Sequence, residues 1–583
     1  MRSIFTGTLI IGCIFLLACS GSSAHTTTEP AGGSAVASGG QPGTIGTGGE
    51  VATPSGGVDM GDIASTGGAD IGGSPSAGAP AGTGGVPAAG GNQTGSVLVT
   101  GGVTTPGGAA GTSPSASTGG VKAAGGSSAA GGLAATGGTT STGGASSSGC
   151  GAGDSNLPAE PTIPQACTTL TATLTVADGE LPGETAMDTS AIQTALNGCA
   201  KGQAVRLAAG GGKNAFITGP LTLPAGVTLW VDAGVVLYGT RSPSVYGSAS
   251  ALISVAGAGS GIVGDGTIDG QGGEPNIGSS QSWWDQNAGS SGNSPALISV
   301  RSATNFTLYR ITLHNSPKFH VKLGAAGFVV WGVTVKAPTR TKNSAGTALN
   351  YSNAHNTDGI DPGEEASNGY IVCSKISTGD DHIAIKGSSA TGVKNLVIAH
   401  NRFGAGHGMS IGSEFTGGVS GLKVYDLSID GQGMDTGGGS SNGIRIKSDS
   451  SRGGLVNSVS YDDVCVRNLA NPILLTPHYS TATGSAIPQF TNITISNFHG
   501  LAGGSNTPVV TLDGYDTAHE NSVTLDNVVI DGISAANVKA SYTKVTLGPG
   551  NVNFTPLGTG VTVVNSIASG STPNPCTNKW TTF

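Results

Sequence analysis

Charge is scarce in this chain: Asp, Glu, Lys and Arg make up 10% of its 583 residues, against a usual ~25%. Aromatic residues are thin as well, at 5%. Long amphipathic helices need charged outer faces, so a helical enzyme of ordinary composition is excluded. A basic excess is also missing. The formal net charge is -9, which leaves no face to release counterions from phosphate and so speaks against a nucleic-acid partner. There is no Cys-x-x-Cys pair and no His/Cys cluster of zinc spacing, so no metal site is expected from the sequence. Glycine, by contrast, fills 102 positions, more than twice its usual ~7% share. Proline stays at 28, and with no strict glycine period that excludes collagen.

Residues 1–19 lack the length to cross a membrane as a stable helix. They do carry Arg2, an apolar run over residues 9–17, and the ending Leu16-Leu17-Ala18-Cys19, the layout of a secretory signal. The ending resembles a bacterial lipobox. That resemblance implies acylation of Cys19, which would begin the mature chain, and placement in the cell envelope, at the outer membrane or cell surface. A plain signal peptide with an incidental cysteine, and a secreted product, is the alternative. Residues 20–149 contain no Phe, Tyr or Trp, and their charges are Glu29, Glu50, Asp59, Asp62, Asp70 and Lys122. Such a segment cannot bury enough apolar surface to offset its ordering entropy. A disordered Gly/Ser/Thr-rich linker is expected, with a reach of roughly 60 Å.

Residues 150–583 are expected to form the folded domain. They hold 23 basic and 29 acidic side chains and six cysteines, at 150, 167, 199, 373, 465 and 576. Export makes disulfides the expected state of these thiols; six allow 15 pairings, and Cys167 with Cys199 is the favoured one. One short helix is predicted, with Asp188 and Thr189 as cap candidates, Ala191, Ile192, Ala195 and Leu196 at helical spacing, and Gly198 at its end. Nearly everything later reads as short strands between glycine and asparagine turns.

The strands recur. Ile-x-Ile-like runs begin at Ile360, Ile383, Met409, Ile444 and Ile473, intervals that suit a solenoid whose coils carry about three short strands each. A sandwich or barrel would show hairpin turns of two to five residues instead. The expected architecture is therefore all-β, a right-handed parallel β-helix capped by the short N-terminal helix. Insertions at 275–294, 339–352 and 431–442 would bulge from it.

Acids concentrate in Asn356-Thr357-Asp358-Gly359 and Gly379-Asp380-Asp381. Asp358 and Asp380 are about one coil apart, which places them on adjacent turns roughly 4.8 Å from each other. Carboxylates crowded in this way raise the pKa of at least one, giving a proton donor beside ionised bases. Glycosidic cleavage uses that combination. Farther along come Gly406-His407-Gly408, Arg445-Ile446-Lys447 and Tyr479. Strand alternation sends Arg445 and Lys447 to one face, where a carboxylated substrate would bind, and Tyr479 could supply a ring platform.

The order Asn-Thr-Asp, Gly-Asp-Asp, Gly-His-Gly, Arg-Ile-Lys and a later Tyr resembles the polygalacturonases of glycoside hydrolase family 28. Ile268-Asp269-Gly270-Gln271-Gly272, Trp283-Trp284, Asn315-Ser316-Pro317 and His320 support it, over about residues 160–580. The resemblance implies hydrolysis of α-1,4-galacturonosyl linkages in pectin with inversion. It casts Asp380 as general acid, with Asp358 and Asp381 activating water. His407 would tune the acid, and Asn356, Arg445, Lys447 and Tyr479 would bind substrate, without metal or cofactor in a monomer. Spacing alone points the other way on stereochemistry, because ~4.8 Å is nearer the carboxylate gap of retaining enzymes.

Other readings stay open. A calcium-dependent lyase could use the same carboxylates, and a non-catalytic solenoid could bind polysaccharide. A rhamnogalacturonan hydrolase and an exo-acting galacturonidase are nearer alternatives, although the family's His and Arg-x-Lys pattern goes with plain galacturonan. His355 and His382 are expected to point inward or sideways in structural roles. Trp283 and Trp284 suit either sugar stacking or a packed loop, and Lys386 either the anion site or a solvated strand end.

Overall fold

The structure, a computed structural model, describes residues 149–583 except 289–292, 364, 434–440, 505 and 566–571. The signal segment with Cys19, nearly all of the linker and most of the 431–442 insertion lie outside the described residues.

The strands pair in parallel, coil upon coil, as a β-helix. One of its ladders explains the Ile-x-Ile recurrence. Ile253, Ile298, Val321, Ile360, Ile383, Met409, Ile444, Ile473, Val510 and Val538 stand in register on successive coils. All are buried. Each fully buried aliphatic side chain contributes about 1.5–3 kcal/mol, and a row of them fixes register, because a one-residue slip would turn every one outward. The outward neighbours on this ladder include Ser410 and Arg445, which are paired across adjacent coils. At several corners asparagines such as Asn395 and Asn527 take the left-handed conformation, with φ of 55° and 56°, which Asn tolerates better than most residues.

The predicted helix is present at Thr189–Gly198, burying Ile192 and Leu196 against the first coils. Its cap differs from expectation. Asp188 makes no side-chain cap bond; its Oδ2 accepts instead from the Thr173 hydroxyl and the Ile217 amide, both at 2.9 Å, so it ties the helix entry to the β-helix. Two further short helices, Pro243–Tyr246 and Trp283–Ala288, were not foreseen.

Cys167 pairs with Cys199 as expected, and the other bonds among the described residues are Cys150–Cys373 and Cys465–Cys576. Near Cys150 the chain is also held by charge. Asp154 Oδ2 accepts from the Tyr425 hydroxyl at 2.6 Å and lies 3.1 Å from His400 Nε2, while His400 Nδ1 lies 2.6 Å from Asp426 Oδ2. Lys579 of the C-terminal segment also binds Asp426. The Asp426 contact raises His400's pKa, burial lowers it, Asp154 raises it again, and the net direction is up. A raised folded-state pKa means stabilisation present below the unfolded value of about 6.5 and lost as pH climbs through the folded one. Asp154 has the opposite sign. Burial pushes its carboxyl up, but Tyr425, Asn156 and His400 bring it down to about 2, so its share is lost only in strong acid. We expect urea midpoints to fall from neutral pH upward, with that slope removed in His400→Gln; an unchanged slope in the variant would sink the assignment.

Candidate active site

Both acid turns precede strands of one ladder and are stitched together by backbone. The Gly359 amide donates to the Asp381 carbonyl at 2.9 Å, and Ile360 pairs with Ile383. Asp358 therefore stands level with Asp381, one residue beyond the Asp380 that spacing alone had matched to it. Thr357 completes the seam: its hydroxyl donates to the Ala354 carbonyl and accepts the Gly379 amide. From the preceding coil, buried His320 donates its amide to the Asp358 carbonyl at 2.9 Å.

The Gly-His-Gly segment is shaped by His382, which is buried and stacked on Phe403 with centroids 4.7 Å apart. Its Nε2 meets the Gly404 and Ala405 carbonyls at 2.9 and 3.0 Å, and its Nδ1 accepts the Gly408 amide at 3.2 Å. Burial pushes its pKa down to about 4, so it serves as a neutral hydrogen-bonding brace. Gly406 passes so close that a Cβ there would lie 2.4 Å from His382 Nε2, and Gly408, at φ 106°, turns in a region closed to bulkier residues. His407 between them is delivered to Asp380. Its amide donates to the Asp380 carbonyl at 2.9 Å, and its Nδ1 lies 3.0 Å from Asp380 Oδ1.

Asp381 faces the cations. Oδ1 accepts from the Ser410 hydroxyl at 2.7 Å and from Arg445 Nη2 at 2.6 Å, and Lys447 Nζ lies 3.3 Å from Oδ2. Arg445 and Lys447 do share a face, and both are buried. Tyr479 lies beside them, with Lys447 Nζ 4.6 Å from its ring centroid. Buried Asp449 holds the Tyr479 loop by accepting from the Ser480 hydroxyl at 2.7 Å and from Arg452 Nε at 3.0 Å, while the Tyr479 amide bonds to the Ser448 carbonyl.

The acids are electrostatically unequal. Asp358 is raised well above the usual range, first by burial and then by Asp361 and Asp380, with Lys386 opposing. Asp361 is pushed up to about 7, again chiefly by burial. Its Oδ1 is buried without a hydrogen-bond partner among the described residues. Asp380 goes the other way: burial raises it, but His407 and Lys447 outweigh burial and hold it far below the usual range. Lys386 Nζ stands 3.6 Å from Asp358 and 3.9 Å from Asp361, so it belongs to the acidic cluster and is no mere solvated strand end.

Asn356 sits at the edge in a left-handed conformation, φ 55°, half-buried. His355 departs from expectation. It is exposed, because the backbone turns at the left-handed Asn356 and strict alternation does not apply, and its surroundings include Asp380 and His407. Trp283 and Trp284 are buried, and Trp284 Nε1 donates to the Ser316 carbonyl at 2.8 Å; they pack a loop. Sequence reasoning missed Asp361, Ser410 and Asp449. Ser410 had a signal, since it is the middle residue of the same three-residue motif that carries Arg445.

Asp380, Asp381 and His407 offer metal-ligand atoms within 4.8 Å of one another, but Arg445 and Lys447 already place two positive charges on Asp381 and oppose a cation there. The arrangement instead sets Asp358, whose pKa is raised, beside Asp380, whose pKa is lowered, along an anion-binding wall, and such a set of unequal carboxyls suits acid–base cleavage of a glycosidic bond in a charged polymer.

The family model for glycosyl hydrolases family 28 matches residues 199–548. A polygalacturonase of Ralstonia nicotianae is 40% identical over 471 residues, covering 71% of this chain and 87% of that protein. An endo-polygalacturonase of Pectobacterium carotovorum subsp. carotovorum is 39% identical over 412 residues, 67% of this chain and 92% of its own length. The solved structure of the polygalacturonase from Erwinia carotovora ssp. carotovora is 36% identical, covers 69% of this chain and 100% of its own, and superposes with a TM-score of 0.55.

Proposed function

This chain belongs to family 28 of the glycosyl hydrolases and hydrolyses polygalacturonate; we propose that it does so by a single displacement centred on Asp358, Asp380 and Asp381. The observation that carries this reading is the contrast at the acidic pair, with His407 against Asp380 and two cations against Asp381. Asp380 is the general acid. The proton reaches it through His407 Nδ1, and a galacturonate carboxylate arriving at Lys447 draws off one of the cations that depress it. Asp381, with Ser410 and Arg445 on one oxygen and Lys447 near the other, is poorly placed to attack carbon. With Asp358 it holds and activates water instead, so the product anomer is inverted. Arg445, Lys447, Tyr479 and Asn356 bind the sugar at the cleavage point.

One observation favours a second assignment of the acid: burial and the neighbouring Asp361 and Asp380 raise the pKa of Asp358, the direction a proton donor needs. The two assignments differ in which variant, Asp380→Asn or Asp358→Asn, an activated leaving group rescues.

The test of the reaction itself uses the chain on polygalacturonic acid, following reducing ends, ultraviolet absorbance and the anomer first released. Reducing ends without absorbance, indifferent to chelator, with inverted product, are expected. Chelator-sensitive absorbance would mean a calcium lyase. Retained configuration would end the single-displacement proposal.

The three disulfides accord with an exported protein. We further propose that Cys19 carries the lipid, that residues 20–149 tether the catalytic domain of residues 150–583 away from the envelope, and that the enzyme acts there as a monomer.

A further inference from the structure

We propose that the substrate groove continues past Tyr479 onto a ring platform formed by His478, Tyr515 and His519, which takes an additional galacturonate unit of the polymer; this rests on the polygalacturonate reading above.

The register places the platform. Lys447 pairs with Thr476 on the next coil, and the strand Asn471–Thr476 pairs in turn with Val510–Asp513. His478 and Tyr515 follow the ends of these two strands, at the same corner as Tyr479. Tyr515 thus lies two coils beyond Lys447, about 10 Å along the stack, and a polymer lying along the coils from Lys447 would pass over it.

The rings are arranged as a surface. His478 is exposed and stacks on half-buried Tyr515 with centroids 5.2 Å apart and planes 28° from parallel. His519 meets Tyr515 edge-on at 6.2 Å and is itself fixed by Asp516, whose Oδ1 lies 2.8 Å from its Nδ1. A stack serving only the core would be buried. Here the outer ring faces solvent, and aromatic faces of this kind suit the apolar face of a pyranose. Charge is compatible too. Asp516 is matched by His519, Asp513 has His478 and Lys539 around it, and Lys539 stands in the outward row with Arg445 and Thr511. A polyanion leaving Arg445 and Lys447 therefore meets another cation farther on.

The test compares galacturonate trimers with oligomers of six or more units, using His478→Ala, Tyr515→Ala and Tyr515→Phe in the full chain. On long substrates the alanine variants should lose roughly three- to tenfold in kcat/KM, mainly through KM, while trimer cleavage at the central site stays at the wild-type rate. Tyr515→Phe should retain most of the long-substrate rate. Equal losses on trimer and long substrate would show a merely structural role, and unchanged rates on the long substrate in both alanine variants would equally overturn the platform. A wild-type enzyme that releases no reducing ends from any of these substrates would remove the underlying reading and the platform with it.

Discussion

Asp380→Asn is expected to cut turnover of polygalacturonate between roughly a hundredfold and ten-thousandfold, the range for removing a positioned proton donor. Asparagine keeps the size of the side chain and can still accept the Asp381 amide, which now donates to Oδ1 at 2.8 Å. What it cannot do is deliver a proton passed from His407. Asp358→Asn should be comparably slow for a different reason, since it removes part of the water-activating pair. A galacturonide whose leaving group departs without protonation tells the two apart. It should restore much of the rate to Asp380→Asn and little to Asp358→Asn. The reverse pattern would make Asp358 the acid, in line with its raised pKa, and would reduce Asp380 to an electrostatic role.

The second large effect is expected at Arg445. Its guanidinium is buried, with Nη2 on Asp381 at 2.6 Å and Nε on the Ser410 hydroxyl at 3.1 Å. Arg445→Met removes that charge while leaving Asp381 buried with Ser410 and Lys447, and breaking a buried pair from one side typically costs about 3–5 kcal/mol. Urea unfolding should report the loss as an earlier midpoint with unchanged slope. Combining it with Asp381→Asn should give a penalty short of the sum, because the double variant leaves neither Asp381 nor Arg445 without its partner. Additive penalties would mean that the pair contributes little in the folded chain. Activity should fall in every case, since the cation is also a proposed binder of the galacturonate carboxylate.

The parts that were legible in the sequence are those set by local repetition. The recurring Ile-x-Ile strands follow from the aliphatic row, and the helix at Thr189–Gly198 from its apolar spacing. Cys167 and Cys199 are 32 residues apart and meet through neighbouring elements. By contrast, Cys150 and Cys373 are 223 apart, and only a terminal segment running back along the stack brings them together, which no periodicity encodes. At the site, residue types and coil spacing gathered the acids, His407, Arg445 and Lys447 correctly. They did not disclose that the cations rest on Asp381, which depends on side-chain direction across coils. Nor did they reveal Asp361, whose interest lies in burial. His355 was misjudged because alternation was extended through a turn where Asn356 reverses the backbone.

The aliphatic row has a consequence for how such an enzyme can change over generations. Each coil is secured chiefly by the coils directly above and below it, so energetic perturbations fade along the axis as they do in other repeat proteins. The Tyr515 coil can therefore acquire or shed rings without disturbing the geometry around Asp358. Chemistry and grip on the polymer are thus separately heritable traits, and selection can lengthen or shorten the reach of the groove while its cutting machinery stays the same.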